Sequence, residues 1–237
     1  MEVLDGFIVG IYNYCDRWCE TCGLTSRCRV FADRAAFLAE LDPHLKDVVE
    51  APPLPQDLPP PPARWLQDCI DEMNEAAREM TIDEARHVVR EGIAPEHEGI
   101  DRRARAYSFS TAGWLQRVEM PDDRDYADPR SILAHDCALI PAKVYRALNG
   151  WLLSQDDPGD WPADHDGSAK VALLSIDRSR AAWITTAGHG LAPTTEVEPF
   201  VSELGVLADE LERLFPNARA FVRPGLDEPA EVAKLTE

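Results

Sequence analysis

Apolar residues recur at helical spacing along the second half of the chain, which is the pattern of helices with one buried face. The clearest apolar stripe covers residues 195–214 and ends before Pro216. Thr195 and Glu198 form a capping-box pattern at its start. We therefore predict a mainly α protein with a bundle-like helical body over residues 63–237.

Two further segments show the same helical pattern. Residues 131–153 contain Pro141, which predicts a kink or a restart of the helix at that position. Residues 166–183 begin with polar side chains that can cap a helix. Residues 92–130 are rich in charged and turn-forming residues, so we predict irregular structure there, with a short element near residues 109–118.

The N-terminal part of the chain differs from this body. Residues 7–12 are apolar and β-prone, which predicts a short strand or an extended segment, and residues 30–41 have the spacing of a short helix. Residues 51–62, APPLPQDLPPPP, predict an extended linker, because proline fixes φ and lacks an N–H donor. We predict a cysteine-rich metal-binding module over residues 1–50, then this linker, then the helical domain over residues 63–237.

The net charge of −19 limits the partners that the protein can have. Binding of nucleic acid through phosphates needs a basic face, so we expect no nucleic-acid partner. The chain has no apolar run of transmembrane length and no basic signal-peptide region, so we expect no membrane partner and a cytoplasmic location. Thiols stay reduced in the cytoplasm, where clustered cysteines more often bind metal than form disulfides.

Four of the six cysteines lie within a short run with the spacing C-x3-C-x2-C-x5-C. They are Cys15, Cys19, Cys22 and Cys28. Thiolates are soft ligands, and four of them select zinc or an iron–sulfur cluster. Structural zinc sites commonly use two short knuckles separated by a longer loop, whereas a [4Fe–4S] cluster often takes its four thiolates from a compact run. We predict a [4Fe–4S] cluster in a redox or structural role, with a structural zinc ion as the alternative.

Parts of this cysteine run resemble two known motifs. Cys15, Cys19 and Cys22 form C-x3-C-x2-C, which resembles the radical SAM signature, although Cys28 as a fourth ligand would close the iron that S-adenosylmethionine needs. Cys19, Cys22 and Cys28 form C-x2-C-x5-C, which is similar to the end of the cluster loop in endonuclease-III-type DNA glycosylases. Each resemblance covers a short stretch of the chain, and neither names its family.

The helical body contains a second candidate site. Acidic and basic residues lie within or beside the apolar stripes of two neighbouring predicted helices. They can pair across the bundle as a partly buried ionic network, or the cations can line a pocket for a small anionic ligand, which would suit an enzyme. The candidate ligand-binding residues are Lys143, Arg146, Lys170 and Arg178, and Asp136 and Asp177 complete the possible network.

The remaining patterns are isolated residues. Glu84 and His87 form one E-x-x-H motif, and a ferritin-like di-iron site would need two. Cys69 and Cys137 lie outside the cysteine run, and we expect both to be buried apolar cysteines. No P-loop, dinucleotide glycine fingerprint, serine nucleophile elbow or zinc-protease motif occurs in the sequence. The partner stays open, as an unknown protein or a small anionic ligand.

Overall fold

Helices dominate the part of the chain that the computed structural model describes, which is residues 2–41, 92–118, 128–156 and 164–227. The α-helices in these ranges are α1 (Arg29–Leu41), α2 (Glu98–Arg117), α3 (Pro129–Asp156), α4 (Asp164–Gly188) and α5 (Thr194–Leu214). Two short strands, β1 (Val3–Leu4) and β2 (Phe7–Ile8), pair antiparallel before α1. The prediction of a mainly helical protein is confirmed. Within the described ranges, no helix has the length and apolar character needed to cross a membrane.

The chain divides into two compact units. One unit contains Met1–Phe31 together with Ile93–Glu237, and the other contains Ala32–Gly92. The four clustered cysteines therefore share a unit with helices α2 to α5. The predicted linker over residues 51–62 lies outside the described residues, so the predicted domain boundaries stay predictions.

Helices α2 to α5 form a four-helix bundle with an aromatic core. Each helix packs against the next one in the chain, and α5 also packs against α2. The rings of Trp114 and Trp183 meet edge to face at 4.8 Å, and Phe200 stacks on Trp183 at 4.1 Å. Both tryptophans are fully buried, and the Trp183 Nε1–H donates a hydrogen bond to the Tyr107 hydroxyl at 3.2 Å. This close packing fixes the faces of α3 and α4 on which the cysteine segment lies.

Helix α2 corrects the prediction of irregular structure for residues 98–117, where only a short element near residues 109–118 is predicted; residues 119–127 lie outside the described part of the chain. Its buried positions follow helical spacing: Ala104, Tyr107, Thr111 and Trp114. A small residue and a threonine take two of the four core positions, and the large apolar Phe109 is 77% exposed. The apolar stripe is therefore hard to read from residue types alone, even though the helix has a continuous core face.

The predicted ends and breaks of the other helices are partly correct. Helix α3 continues through Pro141, so the helix does not restart at that residue, and the other predicted possibility, a kink, stays a prediction. Helix α5 ends at Leu214, before Pro216, as predicted. Its N-cap is Pro193 and no side chain caps it, so the capping box predicted at Thr195 does not form.

The first turns of α4 allow another segment to approach the helix closely. These turns are buried and contain small residues: Gly167, Ser168, Ala169 and Ala172. A Cβ atom placed on Gly167 would lie only 2.4 Å from the ring of Tyr14. Tyr14 directly precedes Cys15, so the small residues of α4 let the cysteine segment pack against the helix backbone.

Candidate metal centre

The four cysteines lie in a segment of tight turns that begins after β2 and ends at α1. Short 3-10 helices cover Ile11–Asn13, Cys19–Thr21 and Thr25–Arg27. The N–H of Cys22 donates to the carbonyl of Cys19 at 3.2 Å, which closes one of these turns. Arg17 has a left-handed φ of 62°, which is uncommon for residues other than glycine and typical of tight turns. These turns keep cysteines that are close in sequence on a compact stretch of backbone.

All four cysteines line one cavity, and this is the central observation about the site. The empty space at this site is about 350 Å³ when the open solvent at its mouth is counted. Each of the four is a free thiol of intermediate exposure. Aromatic and apolar side chains form much of the remaining wall, among them Tyr12, Trp18, Phe31 and Leu226.

The thiols affect one another electrostatically. Burial raises the pKa of the Cys19 thiol, and negative charge on neighbouring groups raises this pKa further. The neighbouring groups are Cys15, Glu20, Cys22 and Cys28. Four thiolates in this cavity would repel one another, and a bound metal centre would supply the positive charge that offsets the repulsion.

The described residues contain no group of three cysteine, histidine, aspartate or glutamate side chains placed to hold one metal ion. The four thiols thus border a common cavity without meeting around a single ion. A tetrahedral zinc ion would require them to move together, because zinc–sulfur bonds are about 2.3 Å long. The metal site predicted at the four cysteines stays a prediction.

Asp16 ties the segment to helices α3 and α4. Its carboxylate accepts a hydrogen bond from Arg178 of α4 at 2.8 Å, and Arg178 also donates to Asp136 of α3 at 2.8 Å. Asp136 is fully buried. Burial opposes ionisation of Asp16, but the hydrogen bond and charge of Arg178 outweigh it and lower the pKa of Asp16. The residue after Cys15 is therefore held as a carboxylate against the bundle.

His135 and Trp18 form a second contact between the segment and the bundle. The Nε2–H of His135 on α3 donates to the carbonyl of Asp16 at 2.8 Å. The Trp18 ring stacks on the His135 ring at 4.4 Å, and the Arg178 guanidinium lies 5.0 Å from the Trp18 ring centre. Trp18 thus lines the cysteine cavity and also packs against two residues of the bundle.

Asn13 and Tyr14, which precede Cys15, contact the bundle as well. The Nζ of Lys143 on α3 donates to the Asn13 carbonyl at 2.8 Å. The Tyr14 hydroxyl donates to Asp164 of α4 at 2.9 Å. Burial and this hydrogen bond raise the pKa of Tyr14 above its usual range, so the phenol stays protonated and acts as the donor.

The C-terminal segment after α5 supports the same site. Phe221 packs against the Tyr14 ring at a centroid distance of 4.8 Å. Lys170 of α4 donates to the Phe221 carbonyl and pairs with Asp227 at 2.7 Å. Leu226, next to Asp227, lines the cysteine cavity. This segment therefore completes the wall that the N-terminal segment begins.

The four cations predicted as ligand-binding residues are all bonded to protein groups. Lys143 and Arg178 bind the cysteine segment directly, as described above. Arg146 pairs with Asp164 at 3.0 Å, and Lys170 pairs within the C-terminal segment. The alternative interpretation, pairing across the bundle, is confirmed for Asp136 and Arg178. Asp177 does not join this network and pairs with Arg219 instead.

The other residues singled out in the sequence are less informative. Glu84, His87 and Cys69 lie outside the described residues. Cys137 is buried, which confirms the prediction for that residue, and its thiol donates to the carbonyl of Ala134 at 3.2 Å. The sequence does not reveal the contacts of Asp16 with His135 and Arg178 of the bundle, and the only available signal is the position of Asp16 directly after a cysteine.

The chain was also compared with known proteins. No protein-family model, curated protein or solved structure matches it. A function for the chain is therefore argued from the geometry of its own site.

Proposed function

We propose that Cys15, Cys19, Cys22 and Cys28 hold a [4Fe–4S] cluster and that the protein is an electron carrier. The single observation that carries this proposal is the cavity lined by all four thiols. In such a cluster each thiolate binds a different iron, so its ligands surround a cavity rather than one ion. When bound, the cluster would accept and return single electrons.

The surroundings of the thiols support a role in electron transfer. The cavity has an open mouth, and the four cysteines are only partly buried, which favours exchange of electrons with a partner. The aromatic wall limits access of water, and solvent access is one of the factors that set cluster potentials. A charge of −19 favours a basic redox partner, because long-range attraction speeds association of oppositely charged proteins.

The bundle has a defined part in this proposal. It binds the residues on both sides of Cys15 through Lys143, Arg178 and Asp164, which lie on α3 and α4. These contacts do not involve the thiols, so they leave all four sulfurs available as ligands. We propose that the bundle holds the ligand segment in place while the cluster changes its oxidation state.

The two alternatives receive less support from the structure. A structural zinc ion would need the four thiols to meet around one atom, and they border a cavity instead. An anion-binding enzyme site would need uncommitted cations, and the four candidates each bind a protein group.

The test is an anaerobic purification of the wild-type protein and of four variants, each with one clustered cysteine changed to serine. A matched control is Cys137→Ala, which removes a thiol that does not line the cavity. We expect the wild type and the control to show the broad brown absorbance of an iron–sulfur cluster, bleached by dithionite. Each serine variant should lose most of this absorbance. A Cys22→Ser protein with full metal content and full stability would contradict the proposal.

A further inference from the structure

Lys143 is an unusual residue for its position. Its side chain is on α3 and only 6% of the residue is exposed. Its Nζ donates to the carbonyl of Asn13 at 2.8 Å, two residues before Cys15. Lysine is almost never so buried without a paired negative charge, because desolvation of an ammonium group is costly.

The other three candidate ligand-binding cations have carboxylate partners. Arg178 pairs with Asp16 and Asp136, Arg146 with Asp164, and Lys170 with Asp227. Among the described residues, no carboxylate lies within ion-pair distance of the Lys143 ammonium. Burial lowers the pKa of Lys143 to about 8, and negative charge on Cys15 or Asp164 acts in the opposite direction. Lys143 is thus a buried cation that is bonded to the backbone of the cysteine segment, two residues before the candidate ligand Cys15.

We infer that Lys143 is the counter-cation of the cluster and raises its reduction potential. This inference rests on the proposed function, since it assigns Lys143 a role toward the [4Fe–4S] cluster. A positive charge bonded to the segment that carries Cys15 stabilises the reduced cluster more than the oxidised one, because reduction adds a negative charge. Lys143 is therefore a positioning residue that also affects the reduction potential. It contacts the segment that carries the cysteine ligands and does not contact the electron donor.

The experiment replaces Lys143 with neutral and charged residues and measures the midpoint potential of the cluster. Lys143→Met and Lys143→Gln remove the charge, and the glutamine keeps an N–H donor. Lys143→Arg keeps the charge. The control Arg102→Met removes one positive charge from a side chain that is 79% exposed on α2. In each titration one electron passes from dithionite, through a mediator dye, to the cluster and reduces one ferric iron to ferrous iron, with no bond broken.

We expect both neutral variants to have a more negative midpoint potential than the wild type. For one electron, a tenfold change in the ratio of reduced to oxidised cluster at a fixed potential corresponds to about 59 mV. We expect the midpoint potential to shift by an amount on the order of 59 mV. Lys143→Arg and Arg102→Met should stay close to the wild-type value. Iron content and circular dichroism of every variant establish that loaded and folded proteins are compared.

The outcomes separate this inference from the proposed function. Neutral variants with full iron content and an unchanged potential would overturn the inference and leave the proposed function standing. Neutral variants that lose iron while Lys143→Arg retains it would support the inference, because the charge would then be needed for loading. A wild-type protein that contains no iron would overturn the proposed function, and the inference with it.

Discussion

Gly167 offers the most direct test of how the bundle holds the cysteine segment. A Cβ atom at this position would lie 2.4 Å from one atom of the Tyr14 ring and 2.8 Å from the Phe221 ring. Neither ring can turn aside easily, because the two pack against each other at 4.8 Å. In Gly167→Ala the added methyl group should therefore displace Tyr14, and with it the backbone that leads into Cys15.

The size of the effect follows from two opposing contributions. Adding a methyl group to a closely packed site typically costs about 1–3 kcal/mol. Alanine is favoured over glycine in a helix by about 0.5–1 kcal/mol, which offsets part of that cost. The two ranges combine to about 0–2.5 kcal/mol, so we expect Gly167→Ala to lower the free energy of unfolding by about 1 kcal/mol. The displaced Tyr14 should also increase the rate at which iodoacetamide modifies Cys15.

The assay is urea denaturation of Gly167→Ala beside a matched control, Gly205→Ala. Gly205 lies inside α5, and a Cβ atom there would meet no other atom within 4 Å. The control should be more stable than the wild type by about 0.5–1 kcal/mol, because only the helix preference acts. Removal of the ring in the double variant Tyr14→Ala/Gly167→Ala should make the added methyl group less costly. If Gly167→Ala were as stable as Gly205→Ala, the close approach of Tyr14 to α4 would be refuted.

Two further predictions concern the charged contacts of the segment. Arg178→Met leaves the fully buried Asp136 without its cation, so we expect the free energy of unfolding measured in urea to fall by about 3 kcal/mol. A fall of less than about 1 kcal/mol would contradict the pairing of Asp136 with Arg178. The pKa of Asp16 is lowered, because Arg178 outweighs the opposing effect of burial. The Asp16 carboxylate therefore contributes its full stabilisation above the unfolded pKa of about 4. This stabilisation is lost as the pH falls through the lower pKa of the folded state. Melting temperatures from pH 7 to pH 2 should therefore fall more steeply in acid for the wild type than for Asp16→Asn, and identical acid dependence would contradict this role of Asp16.

The sequence pattern predicts helices well where large aliphatic residues mark the buried face. Helix α5 is the clearest case, since Leu204, Leu207 and Leu211 are all fully buried. Only a short element near residues 109–118 is predicted where α2 lies, because the core face of α2 includes Thr111 while Phe109 is exposed. Residue type alone does not distinguish a threonine that packs in a core from one on the surface, because only the neighbouring helices decide which it is.

The candidate metal site is likewise predicted only in part by the sequence. The spacing of the cysteines predicts that the four thiols lie close together, and the structure places them around one cavity. The contact of Asp16 with Arg178 joins residues 162 positions apart, and the contact of Asn13 with Lys143 joins residues 130 positions apart. Such long-range contacts produce no local periodicity in the sequence. Before the fold is known, the cations of the bundle are therefore as consistent with a ligand pocket as with an ionic network.

Metal analysis of the anaerobically purified wild-type protein tests whether the four cysteines hold a [4Fe–4S] cluster. Iron, acid-labile sulfide and zinc are measured on the same sample. We expect four irons and four sulfides for each chain, as the cluster composition requires, with no stoichiometric zinc. One zinc for each chain, with neither iron nor sulfide, would contradict it and would give the four cysteines a structural role instead.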